Sequence, residues 1–243
     1  MTIRVLTFNI RNGLANDGAS SWEHRRELTA KVIRDSNADI IALQEVYEFQ
    51  LEYLRVELSD YADYSVGRED GDKEGERCAI LWRPDILHLT DMGNFWLSDT
   101  PDVPDSMTWG NRVTRICTWL GIHEGFYFYN THWDHESSEA RRRSAEMMAK
   151  HLSLYPWIVV GDLNAEPDSP DLAPLVAVEG SEFVSRDNRI GTFHDFHGGD
   201  DGACIDHMFV GGGAKGRLVE VVRTSENGLF PSDHYPVLFE VEL

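Results

Sequence analysis

Asp162 and Asn164 stand two residues apart at the end of the run WIVVGDLNAEP, residues 157–167. Trp157, Ile158, Val159 and Val160 are apolar or β-branched, and Gly161 and Pro167 close the run. It reads as a buried strand opening into a turn. In an extended chain, residues i and i+2 point the same way. A carboxylate and an amide therefore face one spot at the rim of a core. A carboxylate there can hold a metal or orient a water, and an amide N–H can hold a phosphate oxygen. An Asp after a strand is also a common turn former or helix cap, so this stretch alone leaves both readings open.

The same construction recurs along the chain. LTFNI carries Asn9 near its end, IIALQE ends in Glu45, FYNTHWDH runs into His132 and Asp134, and SDHYPV is entered through Asp233 and His234. IDHMFV adds Asp206 at the start of a β-rich run. Taken singly, Asn9 could be a turn residue, Glu45 a solvated strand end, His132 a satisfied core histidine and Asp233 a cap. Six such placements at the edges of apolar runs point instead to one site, because layered α/β folds build their sites at strand ends. The residue types suit phosphodiester hydrolysis. That reaction needs an in-line water, charge neutralisation on the phosphoryl oxygens and relief for the leaving oxygen. Mg²⁺ takes hard oxygen ligands and keeps several waters, so one or two carboxylates and an amide oxygen suffice. Zn²⁺ would want more His or Cys. His132, Asp134 and His135 partly match a zinc hydrolase run, but Asn130 stands where its first His belongs.

The elements that must position these residues can be read from periodicity. Ile3 to Ile10 is a strand, Ser20 to Glu23 fits a capping box, and a helix follows to about Asp35. Ala38 to Leu43 is a second strand, and Leu51, Leu54 and Leu58 mark a second helix. Arg77 to Trp82 and Ile86 to Met92 flank Arg83-Pro84-Asp85 and predict a hairpin. Asn94 to Asn111 predicts a long structured loop, and Arg112 to Ile122 an alternating strand. Phe126 to Thr131 is a strand running into His132, and Ser137 to Leu152 a helix. After the central run, Asp168 to Val178 predicts a short helix. Ile205 to Val210, Leu218 to Val222 and Tyr235 to Leu243 predict the last strands.

The 243 residues suit one large domain, residues 1–243, with no linker-like stretch and no internal repeat. Three widely spaced cysteines, Cys78, Cys117 and Cys204, lie mostly in apolar contexts and predict core thiols in a reducing compartment. The N-terminus reads as a strand rather than a secretion leader, and no run approaches membrane-spanning length. A cytoplasmic location and no membrane partner are the expectations, with a monomer as the default. The formal charge is −20, from 42 acidic against 22 basic residues, of which four are Lys. Broad electrostatic grip on nucleic acid needs a positive footprint that this composition lacks. A local metal and a few Arg could still hold one phosphate. Acid enrichment with little Lys also fits a high-salt cytosol, where self-repulsion is screened.

TFNI, LQEV, NTHWDH, GDLNAEP, IDHMFV and SDHYPV, in that order, resemble the endonuclease/exonuclease/phosphatase superfamily of Mg²⁺-dependent phosphohydrolases. The resemblance covers nearly the whole chain. It implies an α/β (α+β) four-layer sandwich, with two mixed β-sheets packed face to face and helices on the outer faces. It further implies that Glu45 is the principal Mg²⁺ ligand, with Asn9 beside it and Asp233 near or on the metal; Mn²⁺ is a possible substitute. By the same resemblance Asp162 orients or deprotonates the attacking water, and Asn164 donates to the phosphoryl oxygen. Asp206 fixes His234, which stabilises the pentacovalent state. His132 is the second histidine of the site, with Glu76 as its carboxylate partner.

Trp109 and Arg115 are candidates to line the substrate pocket, by stacking and by phosphate pairing. Trp133 and His135 flank the site; Arg141, Arg142 and Arg143 open a helix and read first as a solvated face, with Arg141, nearest the His132 loop, as a second-choice phosphate contact. The expected function is hydrolysis of a phosphate ester, with a small or short phosphodiester favoured. The alternative is a nuclease on DNA or RNA. A lipid phosphodiesterase and a non-catalytic binding module stand further behind.

Overall fold

The computed structural model describes residues 1–152 and 155–243. In chain order the elements are β1 (Thr2–Asn9), α1 (Trp22–Asp35), β2 (Ile40–Val46), α2 (Glu48–Glu57), β3 (Ala62–Tyr64), β4 (Arg77–Trp82), β5 (Leu89–Trp96), β6 (Ile116–Ile122) and β7 (Phe126–His132). They continue with α3 (Ser138–His151), β8 (Trp157–Asp162), α4 (Ala173–Val176), β9 (Glu182–Phe183), β10 (Asp206–Gly211), β11 (Lys215–Val221) and β12 (Val237–Glu242).

The strands form two six-stranded mixed sheets, ordered β11-β12-β1-β2-β4-β3 and β5-β6-β7-β8-β10-β9. Each sheet has a parallel pair at its centre, β1 with β2 and β7 with β8, and antiparallel neighbours around it. Central strands buried on both faces need near-continuous apolar runs, and IIAL and WIVV supply them. Val5, Ile40 and Ile80 of the first sheet share one buried cluster with Phe128, Ile158 and Met208 of the second. On the outer face of the first sheet, Leu6, Phe8 and Ile41 pack with Ala30 and Ile33 of α1 and Leu51 and Leu54 of α2. On the outer face of the second, Tyr129 and Val159 pack with Ala145 and Met148 of α3 and Leu175 of α4. The layers are therefore helix, sheet, sheet, helix, as expected.

Three local expectations differ from the structure. The segments around Arg83-Pro84-Asp85 do not form a hairpin: β4 pairs with β2 and β3 in the first sheet, while β5 pairs with β6 in the second. Both sides of β4 are already occupied, so the chain crosses to found the edge of the other sheet. The capping box at Ser20 does not form. Gly18–Ser20 is a 3₁₀ turn, Ser21 stands at the helix start, and the Ser20 carbonyl accepts the Arg25 Nε–H. The strand expected from Arg112 begins only at Ile116, because the preceding residues turn at the cleft described next. Among the described residues, no helix is long and apolar enough to cross a membrane.

Candidate active site

The two parallel pairs decide where the polar strand ends go. Parallel neighbours finish at the same sheet edge, so β1 and β2 bring Asn9 and Glu45 together, and β7 and β8 set His132 opposite Asp162. β10 runs antiparallel to β8, so its first residue, Asp206, is in register with Asp162. β12 runs antiparallel to β1, so the Ser232–His234 segment entering it lies at that same edge. A residue is demanded at the strand end itself: a Cβ on Gly161 (φ +150°) would lie 1.9 Å from the Thr131 carbonyl oxygen. Only glycine lets β8 approach β7 this closely before Asp162. Glu45 is non-glycine yet has φ +62°, where the pairing with β4 slips between Leu43 and Val46. Such a bulge re-aims a side chain at a sheet edge, and a strained backbone persists there because its surroundings impose it.

The side chains interlock across the two sheets. Asn9 Nδ2 donates to Glu45 Oε1 and to Asp162 Oδ2, both at 3.0 Å. The second oxygen of Glu45 accepts the Asn12 N–H at 2.8 Å, and Asp162 Oδ1 accepts the Asn164 N–H at 3.0 Å. His234 Nδ1 donates to Asp206 Oδ2 at 2.9 Å. Asp162 Oδ2 also faces two imidazoles, with His132 Nε2 at 3.5 Å and His234 Nε2 at 3.7 Å. Asn164 (φ +48°) spends one amide hydrogen on the Trp133 carbonyl.

Burial and neighbouring charge divide these groups into different states. Burial opposes charge on His234, but the carboxylates of Asp206, Asp162 and Asp233 override it and raise the imidazole to about 10. His132 goes the other way: burial, with Arg115 and Arg68 nearby, drives it well below its ordinary value, so it is neutral. Burial and the charge of Asp206 push Asp162 upward. Burial also works against Glu45, yet the Asn9 bond, His234, the Asn12 N–H and Arg11 together hold it below its ordinary value. Asp233 is pushed up by burial and by the charge of Glu45, against the pull of His234. An ionised carboxylate pair that raises its own charging cost suits a hard divalent cation. Asp162, Asp206 and His234 also present ligand-type atoms within 4.8 Å of one another. There, however, the imidazolium already occupies the space between the carboxylates.

Glu45, Asp162, Asn164, Asp233, His234 and His132 open into one cleft of about 500 Å³, which Arg115 also lines. Asn9 stands beside Glu45, with Oδ1 accepting the Arg11 N–H at 3.0 Å and its NH₂ donating to the two carboxylates. Two other expectations, for Glu76 and Trp109, are corrected. Glu76 does not pair with His132. It binds Asn12 Nδ2 and Arg68 Nη1 at 3.0 and 2.6 Å, while His132 Nδ1 has no partner among the described residues. Trp109 does not line the cleft. It is buried with Phe95 and Leu97, its Nε1 donates to Asp99, and Arg143 lies over its ring. Arg141 is likewise held away, by Asp171 and the Asp134 carbonyl. Trp133 is fully buried, whereas His135 lines the cleft.

Sequence reasoning missed several neighbours. Arg11 pairs with Asp17 at 3.0 Å and reaches Asp233 at 3.5 Å; a cation two residues after a strand-end Asn was the available signal. Arg25 is fully buried and donates to the carbonyls of Ile10, Arg11 and Pro231, with Thr29 Oγ1 on Pro231 as well. It ties the turn after β1 to the segment before Asp233, and a contact across 206 residues leaves no local trace. Thr192 Oγ1 accepts the N–H groups of Ile205 and Asp206, fixing the start of β10.

The profile of the Endonuclease/Exonuclease/phosphatase family matches residues 6–234, from the strand before Asn9 to His234. The chain belongs to this family. Its members are metal-dependent phosphoester hydrolases, and the chain is one of that class. The chain is similar to the solved endonuclease/exonuclease/phosphatase of Bacteroides vulgatus, with a TM-score of 0.90 and 30% identity over 100% of this chain and 99% of that one. It is similar to a mannosyl-6-phosphatase of Bacteroides thetaiotaomicron, with a TM-score of 0.88 and 29% identity over 99% and 100% of the two chains. The uncharacterized protein L388 of Acanthamoeba polyphaga mimivirus is 30% identical over 183 residues, 68% of each chain. The family's dependence on a divalent metal agrees with a cleft that gathers several buried carboxylates.

Proposed function

We propose that the chain hydrolyses a small phosphate ester, with Mg²⁺ as the resident ion and Mn²⁺ as a substitute. The observation that carries this reading is the Asn9 amide joined to both Glu45 and Asp162, beside a His234 held by Asp206. Glu45 and Asp233 are the oxygen donors that would hold the ion. Bound there, it supplies charge neutralisation to a phosphoryl oxygen. Asp162 orients the attacking water and takes its proton as the new P–O bond forms and the ester P–O bond breaks. Asn9 and the Asn164 N–H keep its carboxylate aimed. His234, kept charged by its carboxylate neighbours, faces the charge that develops on the phosphoryl oxygens. Asn164 offers its remaining amide hydrogen to the same group. His132 stays neutral and steadies the shared Asp162 oxygen.

Arg115 supports an anionic ligand. Arg11 and Arg68, its fellow cations in the cleft, are paired with carboxylates. Arg115 is 5% exposed, and among the described residues it has no carboxylate partner. Its Nη2 donates to His135 Nδ1, while Nε and Nη1 have no partner. A buried unpaired guanidinium is costly unless a ligand completes it. The lack of a wider basic footprint favours a small or short ester, with a phosphodiester placed first. A phosphomonoester of a sugar is the second reading, favoured by the likeness to the Bacteroides thetaiotaomicron mannosyl-6-phosphatase. The test is a turnover panel with Mg²⁺, Mn²⁺ or EDTA, covering single-stranded and duplex DNA, RNA, bis-p-nitrophenyl phosphate and a sugar phosphate. Metal-dependent turnover lost in Glu45→Ala and Asp162→Ala supports the reading. Full rates in those variants, or rapid cleavage of long nucleic acid alone, overturn it.

A further inference from the structure

Phe193 is the one phenylalanine, tyrosine or tryptophan among the residues that line the cleft. Phe183 and Phe230 are also half-buried, but each packs onto an apolar cluster; Phe193 and Phe196 belong to none of the four clusters of described residues, and of these two Phe193 alone lines the cleft. Its ring centroid lies 5.0 Å from that of His234, tilted by 55°. The core therefore gives no reason for a large aromatic side chain here.

Its backbone is held firmly. Thr192 and Phe193 both donate to the Ala203 carbonyl at 2.8 and 2.9 Å, and Phe193 bridges to Ala203 on one side and His234 on the other. A Cβ at Gly202 would lie 1.9 Å from the Phe193 carbonyl oxygen, so the ribbon closes only with glycine there. The His194 N–H and the Asp195 N–H both donate to the Asp233 carbonyl, and the chain then turns through two positive-φ residues, Asp195 and Phe196. The Phe193 backbone is thus fixed relative to Asp233 and His234, its ring rests beside the His234 imidazole, and Ile205 lines the same cleft. An aromatic face mounted on a rigid frame and left open to a polar cleft is preorganised for a flat partner.

We propose that Phe193 determines specificity by stacking on a ring in the alcohol portion of the substrate, so that this chain prefers phosphate esters of ring-bearing alcohols over open-chain ones. The inference rests on the phosphoester reading and names the substrate class of that site. A pyranose face and a nucleoside base share the flat apolar chemistry that such a ring recognises.

The test uses the full chain with Mg²⁺ and three alcohols: glycerol, a hexopyranose and adenosine. Each is offered as its phosphomonoester and as the methyl diester. For Phe193→Ala, the ratio of kcat/KM on ring-bearing esters to kcat/KM on glycerol esters is expected to fall roughly tenfold or more, as loss of one stacking contact predicts. Phe193→Trp is expected to keep the ratio, and Phe193→Leu, which fills space without a flat face, to lose most of it. The ester whose ratio falls further identifies the ring. Calorimetric binding of the ring-bearing ester to Asp162→Asn is expected to weaken in parallel when Phe193→Ala is added. A uniform loss on all three alcohols, or an unchanged ratio, overturns the inference and leaves the phosphoester reading standing. No turnover of any ester by the unsubstituted chain overturns both.

Discussion

Asn9 and Asp162 lie 153 residues apart in sequence and on different sheets, yet the Asn9 amide donates to the Asp162 carboxylate at 3.0 Å while holding Glu45 with its other hydrogen. One amide thus sets the spacing between the residue proposed to hold the metal and the residue proposed to activate water. Asn9→Ala is expected to reduce kcat by roughly 10²-fold, because both carboxylates lose their shared donor. The stability cost should be about 1 kcal/mol, typical for a single buried hydrogen bond. Steady-state kinetics and urea unfolding on one preparation check both figures. A kcat within twofold of the unsubstituted protein refutes the spacing argument.

Asp162→Asn should separate activity from stability. Removing the proton acceptor is expected to lower kcat by about 10³-fold or more. Burial and Asp206 raise the folded carboxyl above its unfolded value, so the folded chain keeps a proton that the unfolded chain releases as pH rises. Stability is therefore lost as pH climbs through that window, and a neutral isostere escapes the loss. In EDTA at pH 8, Asp162→Asn should melt higher than the unsubstituted chain. A lower Tm would mean that the carboxylate is stabilising after all.

Arg115→Met tests the unpaired cation. An uncompensated buried charge weakens a fold, so the metal-free variant is expected to be at least as stable as the unsubstituted chain. Its KM for a phosphate ester should rise tenfold to a hundredfold, the range for lost charge-assisted hydrogen bonds. Arg115→Lys keeps the charge but not the planar set of donors, and should recover only part of the affinity. An unchanged KM in both variants would assign Arg115 to the scaffold.

Acid should unfold the protein partly through His207. Its Nδ1 meets Ser185 Oγ at 2.9 Å and its Nε2 lies 2.8 Å from the Ala165 carbonyl oxygen. Burial outweighs that carbonyl and depresses the imidazole from 6.5 to about 4. Between those values the unfolded chain takes up a proton that the folded chain refuses. This contribution is complete above pH 6.5 and declines as pH falls toward 4, by at most ~1.4 kcal/mol per pH unit. Urea midpoints at three pH values in that window should show a shallower slope for His207→Gln. Identical slopes would place the acid sensitivity elsewhere.

The site was more legible than the paths that hold it. Asp162, Asn164, Asp206 and His234 announced themselves because strand-end polar residues interrupt apolar runs. The resemblance of six motifs to one family then ordered them. The hairpin expected around Arg83-Pro84-Asp85 failed because local turn chemistry does not reveal which sheet has a free edge. Glu76 was misassigned because its loop returns it to Arg68 and Asn12 rather than to His132. Trp109 was misassigned because a tryptophan in a polar loop looks the same in sequence whether it lines a cleft or closes a core.

The sequence by itself determined the strand and helix periods, the layered class, the acidic surface and the residue types available for phosphate ester chemistry. These depend on neighbours in the chain, where side-chain spacing sets which face is apolar. Tertiary structure alone decided that Asn9 is a bridge, that Arg25 clamps two distant turns, and that Phe193 stands open beside His234. Those outcomes depend on which strand ends share a sheet edge and on which backbone carbonyls face the cleft, relations between segments that no local pattern records.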